Sequence, residues 1–224
     1  MADTFGDILP LAVGIAISPV PIIAVILMLF SNRARSNGPA FLVGWVFGVA
    51  AVTLVVLLLA DAGDVATDSG AADGVAWGKL VLGLLLILLG LRQWRNRPKA
   101  GEQAAMPKWM ATIDGFTPVR ALGTGVVLSA INPKNLVLAA GAGAAIAQAG
   151  LPGTDDAVVV ILFVVVASVS IAGPVLVYLL GGEKAQHMLD GWKAWLSEHN
   201  AAVLTVLLVV MGSVLLGKGL DVFD

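Results

Sequence analysis

Long apolar runs separated by short polar stretches dominate this chain and restrict what it can fold into. Hydrophobic residues make up 58% of the 224 residues and charged residues 12%, whereas soluble domains carry about 25% charged residues. Several runs approach the roughly 20 residues that an α-helix needs to cross a bilayer. The sequence therefore predicts an all-α, polytopic (multi-pass) protein of the cytoplasmic membrane.

Six crossings are predicted, over residues 7–30, 41–60, 77–91, 119–149, 158–180 and 201–220. The first is expected to break at Pro19 and Pro21, and the fourth at Pro133. Proline lacks a backbone N–H and clashes with the preceding turn, so it interrupts a helix. A weaker kink is expected at Pro174, within the fifth crossing.

The distribution of charge predicts the orientation of these crossings. The connections after crossings one, three and five hold ten of the thirteen basic residues: Arg33, Arg35, Arg92, Arg95, Arg97, Lys99, Lys108, Arg120, Lys184 and Lys193. By the positive-inside rule that side is cytoplasmic, which leaves both termini extracytoplasmic. Because the first basic residue is Arg33, no cleaved signal peptide is expected.

The two halves of the chain resemble an inverted repeat of three helices each. Residues 1–97 form the first repeat, 98–114 a cytoplasmic linker with a short interfacial helix, and 115–224 the second repeat with an interfacial helix at 183–199. Each half begins with a proline break and ends with a matching glycine pair, Gly83 and Gly90 or Gly212 and Gly219. Small residues are also common wherever membrane helices pack closely, and these helices could support a homodimer.

Lys134 is the strongest candidate for a functional residue. It is the only charged residue between Arg120 and Asp155, and a charge at bilayer depth usually faces a cavity. Paired broken helices are typical of a binding site near the midplane. The two broken helices are also expected to leave backbone N–H groups free near Asn135 and Leu136 and over residues 22–25. Together with Lys134, these groups predict a pocket for an anion. Its residues are Lys134, Asn132, Pro133, Asn135, Ser18, Pro19, Pro21 and Ser129.

Other roles for Lys134 stay open at this point. The side chain could be a neutral amine, or could reach the interface if its helix is displaced along the membrane normal. It could also cap carbonyl groups that Pro133 frees in the preceding half-helix.

The composition argues against several other classes of protein. There is no cysteine, which excludes disulfides and thiol redox chemistry, and no basic tract indicates nucleic acid. His187 and His199 have no neighbouring ligand cluster in the sequence. We therefore expect no metal, no cofactor and no catalytic residues, and the chain is not predicted to be an enzyme.

The proline breaks at Ser18-Pro19-Val20-Pro21 and Asn132-Pro133-Lys134 resemble those of the LysE-type exporter superfamily. Within it, the chain is most similar to the GAP family, named for addressing peptidoglycolipids and sulfolipids to the surface of actinobacteria. The resemblance implies export, and more weakly a lipid substrate.

We therefore expect an exporter or flippase that moves an anionic amphiphile, such as a cell-envelope lipid or glycolipid, in contact with membrane lipids. The alternatives are an exporter of small solutes (amino acids or ions) and a non-transporting accessory subunit of an envelope-lipid export system. An intramembrane enzyme is less favoured, because the aspartates lie in loops.

Overall fold

The computed structural model describes the backbone of residues 1–64, 71–95, 97 and 108–220. Within these ranges every regular element is helical and no strand occurs, which confirms the all-α prediction. The helices are α1 (Ala2–Ala16), α2 (Pro19–Leu29), α3 (Ala34–Asp64), α4 (Ala71–Arg95), α5 (Pro118–Val126), α6 (Pro133–Gln148) and α7 (Gly153–Leu220), with a 3₁₀ helix at Lys108–Gly115 and a π-helical turn at Val127–Ile131. Residues 98–107 of the predicted linker, and the end of the chain from 221, lie outside the described residues.

Three described helical stretches are long and apolar enough to cross a membrane: Ala34–Ala60, Gly153–Gly181 and Ala185–Gly217. Two bent pairs also qualify if each counts as one span, namely α1 with α2 and the α5–π segment with α6. The chain is therefore a membrane protein with three to five candidate spans among the described residues. The predicted third crossing coincides with α4, which is not among these candidates.

Helix α7 contains both the fifth and the sixth predicted crossings and turns back on itself. The hydroxyl of Ser170 donates to the carbonyl of Ala16 at 2.5 Å, while Met211 lies against Gly14, only two residues away on α1. In a straight helix residues 170 and 211 would be about 60 Å apart. The helical backbone thus reverses direction between the two candidate spans, and the connection, which includes the predicted interfacial helix at 183–199, is helical throughout.

Close packing through glycine joins α3 to α5. A Cβ added to Gly44 would collide with the carbonyl of Leu122, and one added to Gly125 would collide with the carbonyl of Phe41. The fully buried Trp45 donates its indole N–H to the carbonyl of Ala167 at 3.3 Å. Helix α3 is thereby fixed between α5 and the first half of α7.

Gly83 and Gly212, one from each of the two predicted glycine pairs, meet in space. A Cβ at Gly83 would lie 2.8 Å from the carbonyl oxygen of Gly212, and a Cβ at Gly212 would lie 2.6 Å from that of Gly83. A Cβ added to Gly90 would likewise contact Thr205 and Leu208. These glycines bring α4 and the second half of α7 into backbone contact within one chain, which is the close packing expected of small residues in membrane helices.

The two predicted interfacial segments are both helical, in different ways. Residues 185–199 continue α7, where Ala185 and Leu189 are buried while Trp192 and Trp195 are exposed. The segment before α5 is a 3₁₀ helix, Lys108–Gly115, with Met110 and Ile113 buried. Part of each apolar face therefore packs against the protein.

Candidate functional site

The chain bends sharply at both predicted proline breaks. Helices α1 and α2 meet at 53°, and the α5–π segment meets α6 at 66°. In each case proline is the first residue of the second helix, after Ser18 in one break and Asn132 in the other. Proline at this position has no N–H to leave unpaired, and its fixed φ suits the first turn of a helix.

Lys134 joins the two broken helices. Its side chain is 8% exposed, and its ammonium donates to the carbonyls of Gly14 at 2.6 Å and Ile17 at 3.0 Å, and to the hydroxyl of Ser18 at 2.8 Å. Lysine has three N–H donors, so all of them are used. The acceptors lie at the C-terminal end of α1, where the helix dipole favours a cation.

Every carbonyl in the last turn of α1 has a hydrogen-bond partner. Lys134 satisfies Gly14 and Ile17, the Ser18 hydroxyl lies 2.7 Å from the carbonyl of Ile15, and the Ser170 hydroxyl binds that of Ala16. Unsatisfied backbone groups in a bilayer cost several kcal/mol each. The lysine therefore caps a half-helix, but the half-helix is α1, and not the segment before Pro133 that the sequence suggested.

The side chain of Asn135 contacts both broken helices. Its side-chain oxygen lies 3.2 Å from the Ser18 hydroxyl, and its amide donates to the carbonyl of Leu128 at 3.0 Å. Leu128 lies in the π-helical turn, where carbonyl groups lose their usual partners next to Pro133. Asn135 thus links the end of one broken helix to the end of the other.

The expectation of free N–H groups at the two helix starts is largely wrong. The N–H of Ile22 donates to the carbonyl of Ser18 at 3.2 Å, and that of Leu136 donates to the carbonyl of Asn132 at 2.8 Å. The side chain of Asn132 caps the N–H of Lys134 at 3.1 Å. Since Pro19 and Pro21 have no N–H, the first turn of α2 offers little to an anion.

A cavity of about 300 Å³ opens beside the linked helix ends. It brings together five of the predicted site residues (Ser18, Pro19, Pro21, Asn132 and Lys134) with Val20, Leu89, Arg92, Gln93, Leu204 and Leu208. Two other predicted residues, Pro133 and Asn135, do not line the cavity. Ser129 is fully buried, and its hydroxyl donates to the carbonyl of Val126 beside Gly48.

Arg92 is the cavity residue that the sequence reasoning missed. It was assigned to the basic cluster after the third crossing, yet it lines the cavity from the end of α4. The guanidinium carries five N–H donors, and Arg92 has no hydrogen bond or ion pair with the residues that the structure describes. The one available signal is its position as the first cation after the apolar run 80–91.

The cavity is therefore cationic, and its two cations, Arg92 and Lys134, differ in their hydrogen-bond partners. The donors of Lys134 are occupied by backbone and Ser18, whereas those of Arg92 bind no residue in the described part of the chain. Within the described ranges, no aspartate or glutamate lines the cavity. This arrangement can bind an anionic group through Arg92, with Lys134 adding charge from the wall.

The fold and the site together define a helical membrane protein with two broken helices joined at a polar cavity. The family described as Sap, sulfolipid-1-addressing protein, matches residues 8–221 of the chain, and the chain belongs to this family. This confirms the relationship to sulfolipid-addressing proteins that the proline motifs indicated. Searches of curated proteins and of solved structures give no significant match.

Proposed function

We propose that this protein is an exporter or flippase that moves an anionic amphiphile, a sulfated or otherwise acidic cell-envelope lipid, across the cytoplasmic membrane. The observation that carries the proposal is the cationic cavity in which Arg92 has no partner among the described residues and Lys134 bridges the break between α1 and α2. The family description names a sulfolipid, whose sulfate is the kind of group that an arginine fork binds well.

A six-crossing topology with both termini outside is part of this proposal. Contacts in the structure support the grouping of the cytoplasmic connections at one end. The amide of Asn37 donates to the carbonyl of Phe116 at 3.1 Å, and the Lys193 ammonium lies 5.4 Å from the centre of the Phe30 ring. Phe30 ends the first crossing, and the other three residues come from the three connections on the side that the basic residues predict to be cytoplasmic.

The position of the cavity lets the headgroup of the proposed lipid enter from the cytoplasmic side. Its walls are the start of α2, the end of α4 and the 204–208 turn of α7. Arg92, near the basic end of α4, would receive the headgroup from the cytoplasmic side. The break between α1 and α2 is where the wall can change shape, because the helical hydrogen-bond ladder is already interrupted at Ser18.

Purified protein in liposomes tests the proposal. The protein is reconstituted with a fluorescent sulfated glycolipid, a fluorescent phosphatidylcholine of the same chain length, or a radiolabelled amino acid. We expect movement of the sulfated lipid between leaflets to be at least about tenfold faster than that of phosphatidylcholine, as one charge-assisted contact allows. Faster movement of the amino acid than of either lipid would favour a small-solute exporter, and movement of none would favour an accessory role.

A further inference from the structure

A second concave surface lies next to the cationic cavity and is almost entirely apolar. It is a groove of about 480 Å³ between the C-terminal part of α1 and residues 195–211 of α7. Val13 and Ile17 line one side, and Val203, Val206 and Val210 line the other. Among the residues that the structure describes, His199 at one end is the only acidic or basic residue in the groove.

The groove and the cavity share the same two pieces of chain. On α1, Ile17 lines the groove and the next residue, Ser18, lines the cavity. On α7, Leu207 lines the groove and Leu208 lines the cavity. The two surfaces therefore approach each other at these neighbouring residues, where a ligand with one polar and one apolar part would contact both.

The dimensions of the groove suit a hydrocarbon chain. From Trp195 to Met211 the helix extends about 24 Å, which exceeds the roughly 15 Å thickness of one hydrocarbon leaflet. The rings of Trp195 and His199 stack at 4.9 Å and form its polar end, and tryptophan is enriched at membrane interfaces. The groove lies along the candidate span Ala185–Gly217, so hydrocarbon is the medium that surrounds it.

We propose that this groove binds one acyl chain of the anionic lipid whose headgroup lies beside Arg92. The inference rests on the proposed function for the identity of the ligand, but it concerns binding and not movement. The cationic cavity supplies the charge complementarity, and the groove begins at the residues next to Ser18 and Leu208 of the cavity wall. Ordinary membrane lipid would contact the same residues without any preference for an anionic headgroup.

The test uses photolabelling in nanodiscs of phosphatidylcholine. A small fraction of the lipid is either phosphatidylglycerol or phosphatidylcholine that carries a diazirine in its acyl chain, and labelled peptides are quantified by mass spectrometry. We expect the anionic probe to label residues 199–211 about tenfold more than the zwitterionic probe does, as one charge-assisted contact to the headgroup allows. Equal labelling by the two probes would overturn the proposal.

Two variants with matched exposure complete the test. Val206 is 62% exposed and lines the groove, so Val206→Trp fills it. Val165 is 56% exposed and lines neither the groove nor the cavity, so Val165→Trp adds the same bulk elsewhere. Val206→Trp should abolish the preference for the anionic probe, and Val165→Trp should preserve it. Loss of preference in both variants, or in neither, would contradict the assignment. Because labelling is read without transport, a protein that moves no lipid can still pass this test.

Discussion

Replacing Arg92 with glutamine is expected to slow movement of the sulfated glycolipid between leaflets by at least about tenfold, because a charge-assisted hydrogen bond contributes about 1.5–3 kcal/mol. Arg92 is the cavity cation whose donors bind none of the described residues, whereas those of Lys134 bind α1. The measurement is the rate in liposomes at several lipid concentrations. Arg92→Lys should recover only part of the rate, since lysine keeps the charge and loses the planar fork.

Arg95→Gln is the matched control for this prediction. Arg95 lies three residues further along α4, is exposed, and does not line the cavity. Both variants remove one positive charge from the same end of the same helix, so both alter the general membrane-surface potential equally. If Arg95→Gln slows the lipid as much as Arg92→Gln does, the effect belongs to surface charge and the cavity is not the headgroup site.

Replacing Lys134 with methionine is expected to destabilise the protein by about 3 kcal/mol or more, because charged hydrogen bonds contribute about 1.5–3 kcal/mol each. The carbonyls of Gly14 and Ile17 would lose their partner at a depth where little water can replace it. Lipid movement should be lost together with stability, since the two broken helices would no longer be linked. The measurement is the midpoint of thermal unfolding in detergent, which we expect to fall by roughly 6 °C or more.

A milder variant and a control distinguish helix capping from direct contact with the lipid. Ser18→Ala removes one of the three partners of the ammonium and should lower the midpoint by a smaller amount. Asn132→Ala leaves the Lys134 bonds to α1 in place and removes the cap of α6 together with one amide of the cavity wall; loss of the cap costs about 1 kcal/mol. If Lys134→Met unfolds at the same temperature as the original protein but binds the lipid more weakly, Lys134 contacts the substrate and the capping role is wrong.

The local features of the fold could be predicted from the sequence because their causes are local. Proline at positions 19, 21 and 133 interrupts helices for reasons within one turn, and the bends appear at those places. The apolar runs located the ends of the helices to within seven residues, except inside α7, where the fifth and sixth crossings form one continuous helix. There the backbone of residues 182–184 stays helical, because the two glycines at 181 and 182 do not by themselves require a loop.

The site could be predicted only in part because its decisive contacts are far apart in the chain. Lys134 and Gly14 are 120 residues apart, and no periodicity in the sequence connects them. The sequence therefore identified the lysine as buried but not which carbonyls it binds. Arg92 was missed for a related reason: charge patterning assigns a residue to one side of the membrane and does not say which cavity its helix end faces.

A single cysteine at Gln93 tests the central claim most directly. The chain has no cysteine, so Gln93→Cys places the only thiol in the cavity wall, and Ser36→Cys places one at an exposed position that lines neither cavity. Each variant is treated with a bulky methanethiosulfonate before the movement of sulfated glycolipid in liposomes is measured. We expect the modified Gln93→Cys protein to lose transport and the modified Ser36→Cys protein to retain it. Full transport by fully modified Gln93→Cys would contradict passage of the lipid through this cavity.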